Sequence, residues 1–245
     1  MGRRSPLARA CSPRPARGVR VHDQVKPVAG PIVVATDASV ASELASCGYV
    51  ATTGHSGVRA HLHPRRLTQS STRVIVHELR AVYWGLNAVL AAAPSHPVEV
   101  RCDNLGSLHY LARWARGSSD MPAGYDTDLR SEGRTPTLLK LQMIAEYTPG
   151  LTFVHEKAHV GHPLNEATDS LAKLGLRCLR GIVPASEVSR LVPLWATNAL
   201  DAYARSTRSS SRPAPAAPEA GAQEPATIAR HGEAGLDRSE LRDAR

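Results

Sequence analysis

Apolar residues along the chain fall into short β-branched runs, alternating stretches and helical stripes, and these set the expected elements. Ile32 to Thr36 is a continuous run suited to a strand buried on both faces. Cys47 to Thr53 and Arg73 to Val76 read as two further strands, with the Gly, Ser, His and Arg residues between them as loop or edge, which makes a three-stranded meander. From Val76 to Ala93, Leu79, Val82, Tyr83, Leu86, Val89 and Leu90 repeat at helical spacing, and Pro94 and Pro97 end the element. In the strand Val98 to Cys102, Val98, Val100 and Cys102 share one face while Glu99, Arg101 and Asp103 share the other. Leu105, Leu108, Leu111, Ala112 and Ala115 make a second amphipathic helix. Residues Gly117 to Arg134 form a polar loop, long enough to be functional or disordered. Thr135 as N-cap and Pro136 behind it start a helix over Leu138 to Tyr147. A last strand is expected at Leu151 to His155, a last core helix at Asn165 to Leu179, and a helix over Ser186 to Arg205 interrupted at Pro193.

The order β-β-β-α-β-α-α-β-α predicts an α/β fold, a mixed five-stranded sheet with helices on both faces. Strands on either side of a long helix are expected to be parallel neighbours, because a helical crossover returns the chain in the same direction.

Composition then bounds the domain. A chain of 245 residues is long enough for one good-sized core. Residues 1–29 are expected to be a disordered basic arm, 30–180 the folded domain, 181–205 a helical extension and 206–245 a disordered tail. The formal charge is +8 and the pI 9.7, yet residues 1–26 hold seven Arg or Lys against one Asp, and residues 27–205 hold seventeen basic against fifteen acidic. Global charge is therefore weak evidence for a nucleic-acid partner, and the arm is either solvated or grips phosphate. Cys11, Cys47, Cys102 and Cys178 show no paired spacing, which speaks against disulfides or a zinc site and for a reducing compartment. No stretch has membrane-spanning length, and the arm's prolines and the absence of an apolar run after Arg3-Arg4 argue against a targeting segment, so a cytoplasmic location and no membrane partner are expected.

Two strands end in aspartate, IVVATDAS at Asp37 and VEVRCDN at Asp103. A lone strand-end Asp is ordinarily a turn cap. Two on neighbouring strands, with Glu78 in the first turn of the connecting helix, require that explanation three times over. Clustered carboxylates repel and resist desolvation, so such a cluster implies a divalent cation. Oxygen ligands without supporting Cys favour magnesium or manganese. Two such ions suit phosphodiester hydrolysis.

On these residues the chain resembles ribonuclease H of the type 1 class over roughly residues 30 to 180. Four signatures appear in order: TDAS, HELRAV, CDN and HVGHPLNEATDSLAKLG, with Asp37, Glu78, Asp103 and Asp169 at family-like separations. The resemblance implies an endonuclease that cuts the RNA strand of an RNA–DNA hybrid with two Mg2+ ions, Mn2+ as substitute, leaving 5′-phosphate and 3′-hydroxyl ends. It assigns Asp37 to both metals, Glu78 and Asp103 to one and Asp169 to the other, with Glu78 also touching the ribose 2′-hydroxyl. His159 matches the family's mobile histidine, suited to proton transfer or product release. His162 and Pro163 look instead like the turn that starts the helix, and His77 and His155 like structural or solvated residues. Ala38, Ser39, Asn104 and Ser107 follow the strand aspartates as substrate-binding candidates, although Asn104 could equally cap its helix.

The chain departs from the family at two places. Ala38 stands where the family has Gly, and the loop from Gly117 to Arg134 holds Asp120, Asp126, Asp128 and Glu132 in place of a basic handle. Hybrid affinity is then expected from Arg113, Trp114 and Arg116, or from His61, His63, Arg65 and Arg66, with Trp114 more readily a core residue. A monomer with no protein partner is expected. The alternatives are another nuclease or transposase on the same sheet, or a catalytically silent hybrid-binding module. Proofreading exonucleases are disfavoured because Ser39, not an acid, lies two residues after Asp37.

Overall fold

In the computed structural model, which describes residues 19–21, 30–63, 71–128, 133–157 and 161–210, one sheet contains β1 (Val19–Val21), β2 (Ile32–Ala41), β3 (Leu44–Ala51), β4 (Ser56–Leu62), β5 (Val98–Cys102) and β6 (Leu151–His155). The helices are α1 (Arg73–Ala92), α2 (Leu105–Trp114), α3 (Thr137–Tyr147), α4 (Pro163–Leu179) and α5 (Ala185–Ser210). The strand order is β1-β4-β3-β2-β5-β6. β2, β3 and β4 form the antiparallel meander, and β5 and β6 add in parallel to β2. The five main strands and their helices make a mixed α/β fold compatible with the general ribonuclease H-like class, with β1 as a short sixth strand.

Strand alternation divides the core in two. Ile32, Val34, Val98 and Val100 pack with α1, α2 and α3, whereas Val33, Ala35, Val50 and Val58 pack with α4 and α5. Each face is apolar because each is covered. This explains the unbroken hydrophobicity of the start of β2.

Several expected elements shift. Arg73 to Val76 is the start of α1, not a strand, and the third meander strand is Ser56–Leu62. Val-Ile-Val favours a strand locally, but Val76, Leu79, Val82 and Tyr83 are all buried at helical spacing, and tertiary packing overrides propensity. The crossover rule holds for β5 and β6, which are parallel neighbours. The strand before α1 is β4, which is not beside β5, because β3 and β2 lie between them. Pro136, not Thr135, is the N-cap of α3, without a side-chain cap. Tyr125 Oη accepts the Leu138 N–H at 2.9 Å and serves that helix start instead.

α5 continues through Pro193 to Ser210, so neither the interruption nor an end at residue 205 is found. The carbonyl that Pro193 cannot use belongs to Ser189, on the exposed side where solvent reaches it. Val19–Val21, inside the segment expected as a disordered arm, pairs with Ser56–Val58 of β4. The rest of that arm and residues 211–245 lie outside the described residues.

Candidate functional site

The parallel register between β2 and β5 runs from Ile32↔Val98 to Ala35↔Arg101. Carried two residues on, it sets Asp37 level with Asp103, just past the carboxyl end of β5, where ligands of open α/β sheets bind. β2 itself runs on to Ala41, because the meander with β3 continues, so Asp37 lies within its strand and does not end it as expected. Asp37 is still paired to Gly48 of β3, is 7 % exposed, and accepts the Ala38 N–H at 2.7 Å through Oδ1. Glu78 enters from α1. Because that helix starts at Arg73, Glu78 lies in its second turn, not its first, and is 3 % exposed. Asp169 comes from α4 on the opposite face of the sheet and pairs with Lys173 at 2.7 Å.

The four carboxylates interact. Burial, then the charges of Asp103 and Asp169, raise the Asp37 carboxyl from the ordinary 3.8 to about 7. Burial, then the charges of Asp37 and Asp103, push Glu78 well above the usual range. Without a cation, burial and mutual repulsion therefore favour the neutral forms of Asp37 and Glu78.

Donor atoms of Glu78, Cys102 and Asp103 lie within 4.8 Å of one another, the candidate metal cluster among the described residues. Cys102 belongs to it by position rather than chemistry. Its thiol is fully buried, its pKa is raised chiefly by burial, and its Sγ accepts the Asn104 N–H at 3.4 Å. A protonated soft donor suits neither magnesium nor manganese. The carboxylates do fit such an ion, since Glu78 Oε2 is buried with no hydrogen-bond partner.

The backbone of Asp103 is held by β6. His155 Nε2 donates to Asp103 O at 3.2 Å, and Glu156 N donates to Cys102 O at 3.0 Å. His159 lies outside the described residues. His162 is the N-cap residue of α4, as its turn position suggested, and meets Arg101 Nη1 at 3.0 Å. Arg101 also donates to Glu99 at 2.7 Å and Glu156 at 2.9 Å, a cluster that sequence patterns did not single out. Its members come from two strands and a helix start, and only their register unites them.

Ala38 and Ser39 are half-buried on β2. Of the two roles open to Asn104, the structure shows the cap: its Oδ1 accepts the Ser107 N–H at 2.9 Å. Ser107 is fully buried, and its hydroxyl donates to Asn104 Oδ1 at 3.1 Å and Ile75 O at 3.4 Å. Trp114 is wholly buried, its Nε1 donating to Asp120 O at 2.7 Å, and Arg113 is paired with Asp120. His61 and His63 are largely buried, the first accepting from Arg80 Nη1 at 2.9 Å and the second donating to Ser42 O at 2.8 Å. Arg65 and Arg66 lie outside the described residues. The acidic loop is tied down over residues 117–128, since Gln142 Nε2 donates to Ser118 O at 2.8 Å and Tyr125 serves α3.

The chain matches no family model and no curated protein. The resemblance to ribonuclease H therefore stands on its four motifs and on a fold compatible with the general class.

Proposed function

We propose that the protein is a divalent-cation-dependent endonuclease that hydrolyses the RNA strand of RNA–DNA hybrids. The observation that supports this reading is the closeness of donor atoms of Glu78 and Asp103, a group that leaves out Asp37 and Asp169, together with the charges of Asp103 and Asp169 acting on Asp37 and those of Asp37 and Asp103 acting on Glu78. Asp37 would hold both cations, Glu78 and Asp103 one of them, and Asp169 the other. Magnesium, or manganese in its place, supplies an activated water and a counter-charge for the leaving oxygen. The water oxygen forms a bond to phosphorus, the bond from phosphorus to the 3′-oxygen breaks, and that oxygen takes up a proton. A 3′-hydroxyl and a 5′-phosphate result. His159 is the proposed proton carrier, and Glu78 the group that distinguishes a ribose by its 2′-hydroxyl.

Ala38 and Ser39, on β2 beyond Asp37, and Asn104, beyond Asp103, border the site as proposed substrate contacts. Among the described residues no helix is long and apolar enough to cross a membrane. The deciding experiment is cleavage of an end-labelled RNA–DNA hybrid beside matched duplex RNA, duplex DNA and single-stranded DNA, with magnesium, manganese or chelator. Cleavage confined to the hybrid's RNA strand and stopped by chelator is expected. Cutting of DNA would point to another nuclease, and cation-independent binding without cutting to a silent module.

A further inference from the structure

Helix α4 meets β3 at a point where no side chain separates the two backbones, and that point lies directly across from Asp37. Gly48 is the antiparallel partner of Asp37. A Cβ placed on Gly48 would stand 2.6 Å from Thr168 O, 3.0 Å from Ala172 N and 3.0 Å from Leu171 Cβ. Two of those are helix backbone atoms that cannot swing aside, and ordinary contact needs about 3.5 Å. Farther along the helix the fit recurs in reverse: a Cβ on Gly175 would overlap Ser46 Oγ and come within 2.7 Å of Val58 Cγ2. The two glycines interlock strand and helix like a key in a slot.

Thr168 immediately precedes Asp169, is fully buried, and is fixed by its hydroxyl donating to Asn165 O at 2.8 Å. The turn of α4 that touches Gly48 is thus the turn that carries Asp169 toward Asp37. We infer that Gly48 is a positioning residue: its missing side chain sets how deeply α4 seats on the sheet, and so whether the Asp169 carboxylate reaches that of Asp37. This rests on the reading of the four carboxylates as a cation site. Relieving the overlap of a Gly48→Ala side chain requires the helix to withdraw by roughly 0.5–1 Å. A cation shared by the two carboxylates does not tolerate that displacement, because its oxygen ligands must lie about 2.0–2.1 Å away.

The test uses the full chain in five forms: wild type, Gly48→Ala, Gly48→Ala with Asp169→Glu, Asp169→Asn, and Leu141→Ala. The last removes a fully buried side chain from the core on the other face and serves as the control for plain destabilisation. Crystal structures report the seating of α4, calorimetry reports Mn2+ binding, and hybrid cleavage gives kcat and KM. Gly48→Ala is expected to bind Mn2+ as weakly as Asp169→Asn and to lose kcat by about a hundredfold with KM little changed, as a 1 Å misplacement can. The longer Glu side chain should restore severalfold of both. Leu141→Ala should melt earlier while keeping Mn2+ affinity and kcat.

A Gly48→Ala protein in which Asp37 and Asp169 keep their wild-type separation, or whose Mn2+ affinity equals the wild type's, overturns the inference. If wild type neither binds Mn2+ nor cleaves hybrids, the nuclease reading falls, and the seating of α4 in the Gly48→Ala crystal decides the positioning role alone. Should Gly48→Ala not fold, Gly175→Ala takes its place, with a smaller displacement because it meets side-chain atoms of Ser46 and Val58.

Discussion

His77 and Glu78 are consecutive residues of α1, both buried, and both have side-chain atoms without a hydrogen-bond partner. They belong to two clusters with opposite responses to burial. His77 stands between His61 and His63, with ring centroids 5.2 and 5.1 Å away. Burial first, then Arg80, lowers His77 to about 2 and His61 to about 3. His61 and His77 are therefore neutral near pH 7. Those two imidazoles have discarded their charge and fill space. The carboxylates cannot become harmless in that way, because their neutral forms need protons that neutral water supplies poorly. They remain poised to exchange protons for a cation. Burial alone therefore does not mark a site; the sign of the charge that burial forbids does.

The sharpest break of this contrast is Asp37→Asn. Hybrid cleavage should fall by at least about a hundredfold, while the cation-free protein stays folded or melts later, since a repelling buried carboxylate becomes a neutral amide. Gel assays and chelator-treated thermal melts measure the two halves, and retained cleavage would remove the cation site. Next in size is the response to the ion itself. At a hundredfold excess over Kd, Mg2+ or Mn2+ should stabilise wild type by about 2.7 kcal/mol. Asp37→Asn and Asp103→Asn should gain far less. An equal gain in those variants would place the ion elsewhere.

The clusters should also give the metal-free protein two opposed pH limbs. Asp37 is raised from 3.8 to about 7, so its contribution is present below pH 4 and is lost as pH rises through 7. His61 and His77 are lowered from 6.5 to about 3 and 2, so theirs is present above pH 6.5 and is lost as pH falls through those values. Urea melts across pH 3 to 8 with chelator should show Asp37→Asn flattening the first limb and His77→Leu reducing the second. The smallest effect is His77→Leu itself. Removing an imidazole with two unpaired nitrogens should stabilise by about 1 kcal/mol and leave cleavage within twofold. A large loss of activity would instead join the histidines to the chemistry.

Asp37, Glu78 and Asp103 could be found from sequence as acids in or beside clear apolar runs, although Asp37 proves to lie within β2, and Asp169 came from the fourth motif. The neighbours of those elements could not. Ser56–Leu62 hid as a strand because Gly57, Arg59 and His61 blur its alternation, although Val58 and Ala60 are buried. The Val-Ile-Val at residues 74–76 imitated a strand because propensity is local and the packing of α1 is not. Gly48 carried a usable signal, since a glycine within a strand marks a bulge or a close backbone approach. What it approaches depends on α4, more than a hundred residues later. Trp114 proves to be a core residue, as the sequence favoured, but its tie to Asp120 could not be read because Asp120 sits in a loop without periodicity.

The pairing of Val19–Val21 with β4 bears on how the protein can be trimmed. A shortened chain beginning at Gly30, the start that hydropathy alone would choose, leaves the amides and carbonyls of Ser56–Val58 bare along the rim of the sheet. Exposed rims of that kind recruit strands from neighbouring molecules. Such a truncation would be expected to self-associate, and its loss of solubility would be a property of the cut rather than of the protein.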